Sequence, residues 1–288
     1  MKMENSENKS ELTIDRRSKL SYAEFKNDYL NKRIPVIITD AIDEWPARAW
    51  TPQWFRDRYP GKKVSTDQGE MIMEDFIDSI TSTSNEAGPF LREQPLKDVF
   101  PDLVQMVQPT PVYATPNWLG GKYLLPRVNR RLNRESHIEV NFCGKRIFPY
   151  LHIDDLHSHA FIMQVYGDKN IVVFPPDQEQ YLYRKDDQRV SMIPDVDNVD
   201  LNKFPLFAKA KAIRVVLHGG ESVFMPCGWW HTTRVYGASL STVFSLANSS
   251  NWNDLVNVVE KELNHRPTFA SVYAMYLRGA GTIKSLIE

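Results

Sequence analysis

The hydropathy pattern along the chain changes texture twice. Residues 1–17 are polar and charged, with no apolar stretch like the core of a secretory signal, and are expected to form a flexible tail. Ser21 and Glu24 then have capping-box spacing, and Phe25 and Tyr29 supply a short apolar stripe, which predicts a helix start. The run Ile34-Pro-Val-Ile-Ile-Thr-Asp40 predicts a buried strand. Thr51-Pro52 opens a helix as N-cap and first-turn proline, and Gly61 lies just past its end. Met73 to Ile80 and Leu96 to Val107 are weaker helical stretches. Residues 18–110 are therefore expected to be a mostly helical entry with one good strand.

After Pro109, short apolar runs alternate with turn signals. Ala160 to Val165 and Asn170 to Phe174 read as strands, and Gly167-Asp168 between them predicts a two-residue hairpin turn. Pro175-Pro176 stops the second run. Ala212 to Leu217, a Gly219-Gly220 turn, Ser222 to Met225, Trp230 to Tyr236 and Leu240 to Leu246 follow. Many short strands at this spacing predict a mainly β fold, a sandwich or jelly roll, over residues 110–250. The end turns helical again: Trp252, Leu255, Val256, Val259 and Leu263 share one face. Pro267 restarts a helix that carries Phe269, Val272, Tyr273, Tyr276 and Leu277. No repeat and no linker interrupts this order, so one elaborated domain over 18–250 is expected, with a helical appendage over 251–288. The appendage either caps the core or, given its apolar excess on more than one face, pairs two copies.

Composition narrows the function classes. With 42% apolar and 25% charged residues the chain is of ordinary globular make-up, which excludes a disordered or fibrous protein. No apolar run approaches the ~20 residues of a bilayer span, so a membrane role is not expected. Thirty-five Lys and Arg against 36 Asp and Glu leave a net charge of −1, so nucleic acid is not an expected partner. One local exception is the run Lys122, Arg127, Arg130, Arg131 and Arg134, opposed only by Glu135. It is a solvated face, or a basic rim for an acidic peptide or an RNA. Aromatic residues are sparse there, which weakens the RNA version. Two cysteines, Cys143 and Cys227, make no disulfide framework, and a reducing, cytoplasmic setting is expected.

Three features carry chemistry. In His152-Ile153-Asp154, residues two apart on a strand share a face, so an imidazole and a carboxylate can converge. Alone, this is no more than a surface or hydrogen-bonded pair. His231 follows Pro226-Cys-Gly-Trp-Trp230; alone, it is a satisfied core histidine. Lys169 heads an apolar strand, where it either snorkels outward or turns inward to meet an anionic ligand. Together the three are sharper. Two histidines and one carboxylate on strands form a facial triad that leaves positions open on an octahedral ion, the arrangement of non-haem Fe(II) oxygenases. A structural zinc site would want four closed ligands, usually with cysteine, and the cysteines do not cluster. Lys169 would supply the counter-charge for a carboxylate co-substrate.

The words "LHIDDLHSHAFIMQVYGDKNIVVFPPDQEQYLY" and "GGESVFMPCGWWHTTRVYGASLSTVF" resemble the jumonji-C oxygenases of the cupin superfamily. The first matches that family's His-x-Asp/Glu motif, the following strand and the turn with its lysine. The second matches Gly-Asp/Glu-x-x-Phe-x-Pro-x-x-Trp-Trp-His. The His152 to Lys169 spacing is similar to that of the jumonji-C lysyl hydroxylases. Phe174 to Gln178 resembles the asparaginyl hydroxylase that inhibits hypoxia-inducible factor. "RIPVIITDAIDEWPARAWTPQWFRDRYPGKKV" resembles the entry segment of the cupin-like subgroup, so the likeness spans about residues 30–250.

The resemblance implies a double-stranded β-helix, the jelly roll of the cupins. It implies Fe(II) held by His152, Asp154 and His231, and 2-oxoglutarate held at its distal carboxylate by Lys169. It also implies a hydroxylase that consumes 2-oxoglutarate and O2 and releases succinate and CO2. Trp229 and Trp230 are expected to wall the site. Pro149 stands where relatives carry a threonine that holds 2-oxoglutarate, and Ser245 where they carry an asparagine near the iron. The Tyr150 hydroxyl, on the strand face of His152, is the expected substitute. The expected substrate is a polypeptide side chain, with a small molecule or a tRNA base as alternatives. A non-redox cupin or a catalytically silent binding module would keep the fold without the reaction. Related oxygenases also use such C-terminal helices to form a homodimer. His157 and His159 make a second i, i+2 pair, as ligands in another register, supports, or substrate contacts. Asp155 should face away and pair locally.

Overall fold

The computed structural model describes residues 13–84, 86–121, 138–148, 151–186 and 188–287. The basic run over 122–135, His137, Pro149 and Tyr150 lie outside the described residues.

Local chemistry starts the entry segment as its sequence suggests. The Ser21 hydroxyl accepts from the Glu24 N–H, and the Glu24 carboxylate accepts from the Ser21 N–H, which closes the capping box. The turn then widens into a π-helical stretch, Phe25–Leu30, that buries Phe25, Tyr29 and Leu30. The Thr51 hydroxyl accepts from the Trp54 N–H and caps the helix Pro52–Arg58. Met73–Thr81 is a helix whose Met73, Phe76, Ile77 and Ile80 are buried at helical spacing. Leu96 to Val107 is not one helix but a turn, Leu96–Val99, and a 3-10 stretch, Pro101–Val107. Pro101 has no N–H to carry a helix through that point.

The strands, in chain order, begin with β1 (Asp15–Arg17), β2 (Val36–Ile38), β3 (Lys63–Thr66), β4 (Gly69–Ile72) and β5 (Phe90–Pro95). Next come β6 (Glu139–Cys143), β7 (Arg146–Ile147), β8 (His159–Tyr166) and β9 (Lys169–Phe174). The last are β10 (Ile213–Leu217), β11 (Ser222–Met225), β12 (Trp230–Val235) and β13 (Ser239–Leu246). The entry is thus less helical than its pattern suggests, since β3, β4 and β5 fall within it beside the expected β2. The expected tail also ends sooner: Ile14 is buried, and β1 pairs in parallel with β2, Asp15 opposite Val36.

A large sheet orders β1-β2-β11-β8-β13-β6-β5 and a small one orders β10-β9-β12-β7. The tight turns carry the chain from one sheet to the other. Gly167-Asp168 joins β8 in the large sheet to β9 in the small one, so it is not a hairpin; β9 pairs with β10 and β12 instead. Gly219-Gly220 and Gly237 make the same step, from β10 to β11 and from β12 to β13. This is the strand exchange of a jelly roll. Gly167 is required where it stands. Its φ is +71°, and a Cβ there would lie 2.2 Å from the Ala238 carbonyl oxygen.

Apolar layers fill the spaces the sheets leave. Ile162, Ile171, Val173, Val223 and Met225 pack between the two sheets. Phe142, Phe161, Met163 and Phe224 on the other face of the large sheet meet Phe25, Phe55 and Phe76 of the entry segment. The long β9–β10 connection lays Leu182, Ile193, Val196 and Phe204 on the outer face of the small sheet. At the end, helices Trp252–Glu262 and Pro267–Ile287 pack on each other, and the Trp252 indole N–H donates to the Leu277 carbonyl at 2.8 Å. Among the described residues, no helix is long and apolar enough to cross a membrane.

Candidate metal centre

Strand alternation decides which side chains enter the space between the sheets. On β12, His231 lies opposite Val173 of β9 and Thr233 opposite Ile171, so these side chains share the interior face with Lys169. His152 joins the same face. Its N–H donates to the His231 carbonyl at 3.0 Å, and the His231 N–H donates back to the His152 carbonyl at 2.8 Å. On its other side, the 151–153 segment is held by the β9–β10 connection. Ile153 N–H donates to the Arg189 carbonyl and Ser191 N–H to the Leu151 carbonyl. The segment that carries His152 and Asp154 is thus tied on both edges.

The ligand atoms of His152, Asp154 and His231 lie within 4.8 Å of one another. His231 Nε2 is 3.7 Å from the Asp154 carboxylate, too far for a hydrogen bond. Two ligands each about 2.1 Å from one ion lie at most about 4.2 Å apart, so this pair suits a shared cation. The rings of His152 and His231 are 4.3 Å apart at 51°. The Trp229 carbonyl, which can only accept, lies 3.1 Å from His231 Nδ1. Nδ1 therefore carries the proton, and the Nε2 lone pair faces Asp154. Burial pushes the Asp154 carboxyl above the usual carboxylate range, and the His231 imidazole opposes that shift. A cation at this point would favour the carboxylate further.

Lys169 is turned inward. It is 7% exposed, and its Nζ donates to Ser241 Oγ on β13 of the opposite sheet at 2.6 Å. Burial lowers its ammonium to about 8. Ser245 shares the interior face of β13 with Ser241 and lies opposite Ala160, while its carbonyl accepts from Asn117 Nδ2. A cavity of about 690 Å³ opens beside Asp154. Its walls include Asp155 to His157, Arg184 and Gln188 to Val190 of the β9–β10 connection, and Asp254, Val258 and Lys261 of the Trp252–Glu262 helix.

Some expectations change here. Trp230 does not wall the site: one residue from His231 on a strand, it points to the outer face and packs with Phe174 and Phe204. Trp229 does lie with the interior cluster, and its indole N–H donates to the Arg33 carbonyl. His159 is no ligand, because β8 turns it to the Phe224 side, where Cys227 N–H and Ser250 use both ring nitrogens. His157 lines the cavity beside Asp154 instead. Asp155 pairs locally, accepting from the Leu156 N–H, with Arg189 3.9 Å away. The interior polar group on β13 and the cavity wall from the C-terminal helix are absent from the sequence motifs. Both depend on packing between distant segments.

A jelly roll with two imidazoles and a carboxylate converging on its interior face defines a metal-binding cupin. A profile of the cupin-like domain matches residues 22–256, and the chain belongs to that family. It is 27% identical over 254 residues to the JmjC domain-containing protein D of Dictyostelium discoideum, covering 78% of this chain and 53% of that protein. It is 29% identical over 245 residues to lysine-specific demethylase 8 of Danio rerio, covering 78% and 56%. A shorter match, 37% identical over 120 residues, joins it to tRNA wybutosine-synthesizing protein 5 of Gallus gallus, covering 42% and 34%. The chain spans about half the length of the first two relatives.

Proposed function

We propose that this chain is an Fe(II)- and 2-oxoglutarate-dependent oxygenase that hydroxylates a polypeptide side chain. The convergence of His152, Asp154 and His231 on one interior point carries the reading. The donor set fits ferrous iron, because two imidazoles and one carboxylate leave positions open for a co-substrate. Bound Fe(II) would supply chelation of the 2-oxo acid and the activation of O2.

The chain's own residues do the rest. The Trp229 carbonyl holds His231 in the tautomer whose Nε2 can ligate. Lys169 holds a positive charge inside the barrel for a distal carboxylate. Val173, the neighbour of His231, lies four positions along β9 from it, which is about 13 Å at strand rise. The lysine side chain covers part of that distance, and Lys169 would hold the far carboxylate of a 2-oxoglutarate bound at the triad. Ile171, Val173, Val223 and Met225 keep the space between dry. Ser245, on the same interior face, and Tyr150 belong to the same co-substrate proposal. The cavity beside Asp154, with Arg184, Arg189, Asp254 and Lys261 among its walls, admits the prime substrate.

Relatives named as demethylases support a protein substrate. Hydroxylation of an N-methyl carbon ends in loss of that carbon, so hydroxylation and demethylation share this site. The match to a tRNA-modifying relative supports a second reading, a tRNA base as substrate. A homodimer belongs to the proposal as well: Phe269, Val272, Tyr276, Ile283 and Leu286 form an exposed seam along Pro267–Ile287. So does a cytoplasmic setting, which suits the free, buried thiols of Cys143 and Cys227.

The test incubates the protein with Fe(II), 2-oxoglutarate and O2, beside methylated and unmethylated peptides and bulk tRNA. The proposal expects succinate release that a peptide stimulates and a peptide heavier by one oxygen. Formaldehyde from methylated peptides moves the reading to demethylation, and stimulation by tRNA alone favours the second reading. Succinate no higher than with His231→Ala overturns the oxygenase.

A further inference from the structure

The β9–β10 connection bears on the metal centre in two ways. It forms one edge of the segment that carries His152 and Asp154: the Arg189 carbonyl accepts from the Ile153 N–H, Ser191 N–H donates to the Leu151 carbonyl, and Val190 lies opposite His152. The same stretch, with Arg184 and Gln188 to Val190, walls the cavity beside Asp154. Leu182, Ile193, Val196 and Phe204 hold the connection against the outer face of the small sheet. Apolar contact is non-directional, so it presses the connection down without choosing which residue lies opposite His152.

A charge makes that choice. Arg234 lies three residues beyond His231 on β12, so alternation turns it to the outer face, away from the triad. It is 4% exposed, and its Nη2 lies 2.5 Å from Asp195 Oδ1 and 2.8 Å from Asp197 Oδ2, both in the connection. The acidic turn is shaped in advance, because Asp195 also accepts from the Asp197 N–H at 3.0 Å and from Asn198 Nδ2 at 2.7 Å. Arg234 Nη1 is buried with no partner among the described residues. A buried guanidinium short of a hydrogen bond is a weak source of net stability, and an apolar side chain of its size would serve packing as well. The ion pair adds direction: it meets the connection at one turn and no other.

We infer that Arg234 is a positioning residue for the metal centre, which through Asp195 and Asp197 fixes the β9–β10 connection in the register that holds His152 and Asp154. The inference rests on the metal centre proposed above and goes past it, to a residue that touches neither the ion nor the substrate. The tie works in both directions, so a bound metal also steadies the connection.

The experiment titrates Co(II), a visibly absorbing stand-in for Fe(II), into the apo-protein, and reads amide hydrogen exchange over residues 184–193 before and after. Arg234→Gln should weaken Co(II) about tenfold and speed that exchange. The paired variant Asp195→Asn, Asp197→Asn reads the same tie from the other side and should lose about as much. All three changes together should lose no more than either set alone, since they cut one tie. Arg234→Lys keeps the charge and should recover affinity to within about threefold of wild type. Arg214→Gln breaks only the other ion pair of Asp197 and should stay within about twofold. Unchanged affinity in both Arg234→Gln and the paired variant overturns the inference. So does a loss in Arg234→Gln alone, which would place the effect on β12, or a combined loss of about a hundredfold, which would make the two sides independent. A wild-type protein that binds no Co(II), or binds it equally well as His231→Ala, overturns the metal centre itself.

Discussion

His159 and His231 are both buried in the barrel wall, at 0% and 4% exposure, and only one turns a ring nitrogen toward the Asp154 carboxylate. His159 Nδ1 accepts from the Cys227 N–H at 2.9 Å, so its proton sits on Nε2, which donates to Ser250 Oγ at 2.8 Å. Ser250 in turn donates to Asn248 Oδ1. Both ring nitrogens are consumed, and burial lowers the imidazole to about 3. His231 spends Nδ1 on the Trp229 carbonyl and keeps Nε2 toward Asp154. Depth and residue type are the same. The difference is which nitrogens the fold has already used, and that separates a ligand from a strut.

The sharpest break of this comparison is substitution at each ring. His231→Ala should lower Fe(II) affinity by about a hundredfold or more, read by anaerobic metal titration. His159→Ala should leave that affinity within about threefold and cost about 3 kcal/mol of stability, read by denaturant unfolding of the apo-protein, because it opens a cavity and strands the Cys227 N–H. A large loss of iron in His159→Ala would erase the distinction.

Acid should separate the two next. The folded His159 titrates near 3, below the value of about 6.5 for an unfolded chain, so the unfolded state binds the proton first. Its contribution is full above pH 6.5 and is lost as pH falls, on the order of 3 kcal/mol by pH 4. A flat stability profile between pH 7 and 4 would contradict the buried, neutral ring.

Lys169 gives a smaller effect at the alkaline end. Its folded ammonium titrates near 8, so above that pH the free protein must take up a proton to bind a carboxylate. Affinity for 2-oxoglutarate should fall by about tenfold per unit above pH 8, and Lys169→Ala should lose that dependence. The unfolded chain holds the same proton up to about 10.5, so this group raises apo-protein stability as pH climbs from 8 to 10.5. Smallest of all, Asp155→Asn should change iron affinity by less than about twofold, since Asp155 pairs locally, with the Leu156 N–H and Arg189.

Much of the core is legible along the chain because local chemistry specifies it. Strands β8 to β13 show alternating or continuous apolar runs cut by glycine turns, and they fall close to where those patterns place them. Which sheet each strand joins is not legible, since Gly167-Asp168 looks alike in a hairpin and in a turn between sheets. β3 and β4 of the entry are not legible for a related reason. Lys63–Thr66 and Gly69–Ile72 are short and half polar, and they are held by pairing with each other rather than by a buried face. At the site, His152, Asp154 and His231 are legible because two separate motifs point to one chemistry. Trp230, expected beside the site, follows simple alternation from His231 to the outer face. Ser241 carries no signal, because its nearness to Lys169 arises from the facing of two sheets.

The most direct measurement is an anaerobic titration of Fe(II) and then 2-oxoglutarate into the apo-protein, watching for the visible charge-transfer band of the chelate. Wild-type protein and His159→Ala should both develop the band, and His152→Ala and His231→Ala should not. Iron binding that survives the loss of His231, or a wild-type protein that binds iron without ever forming the band, would contradict the assignment of this barrel as a 2-oxoglutarate oxygenase.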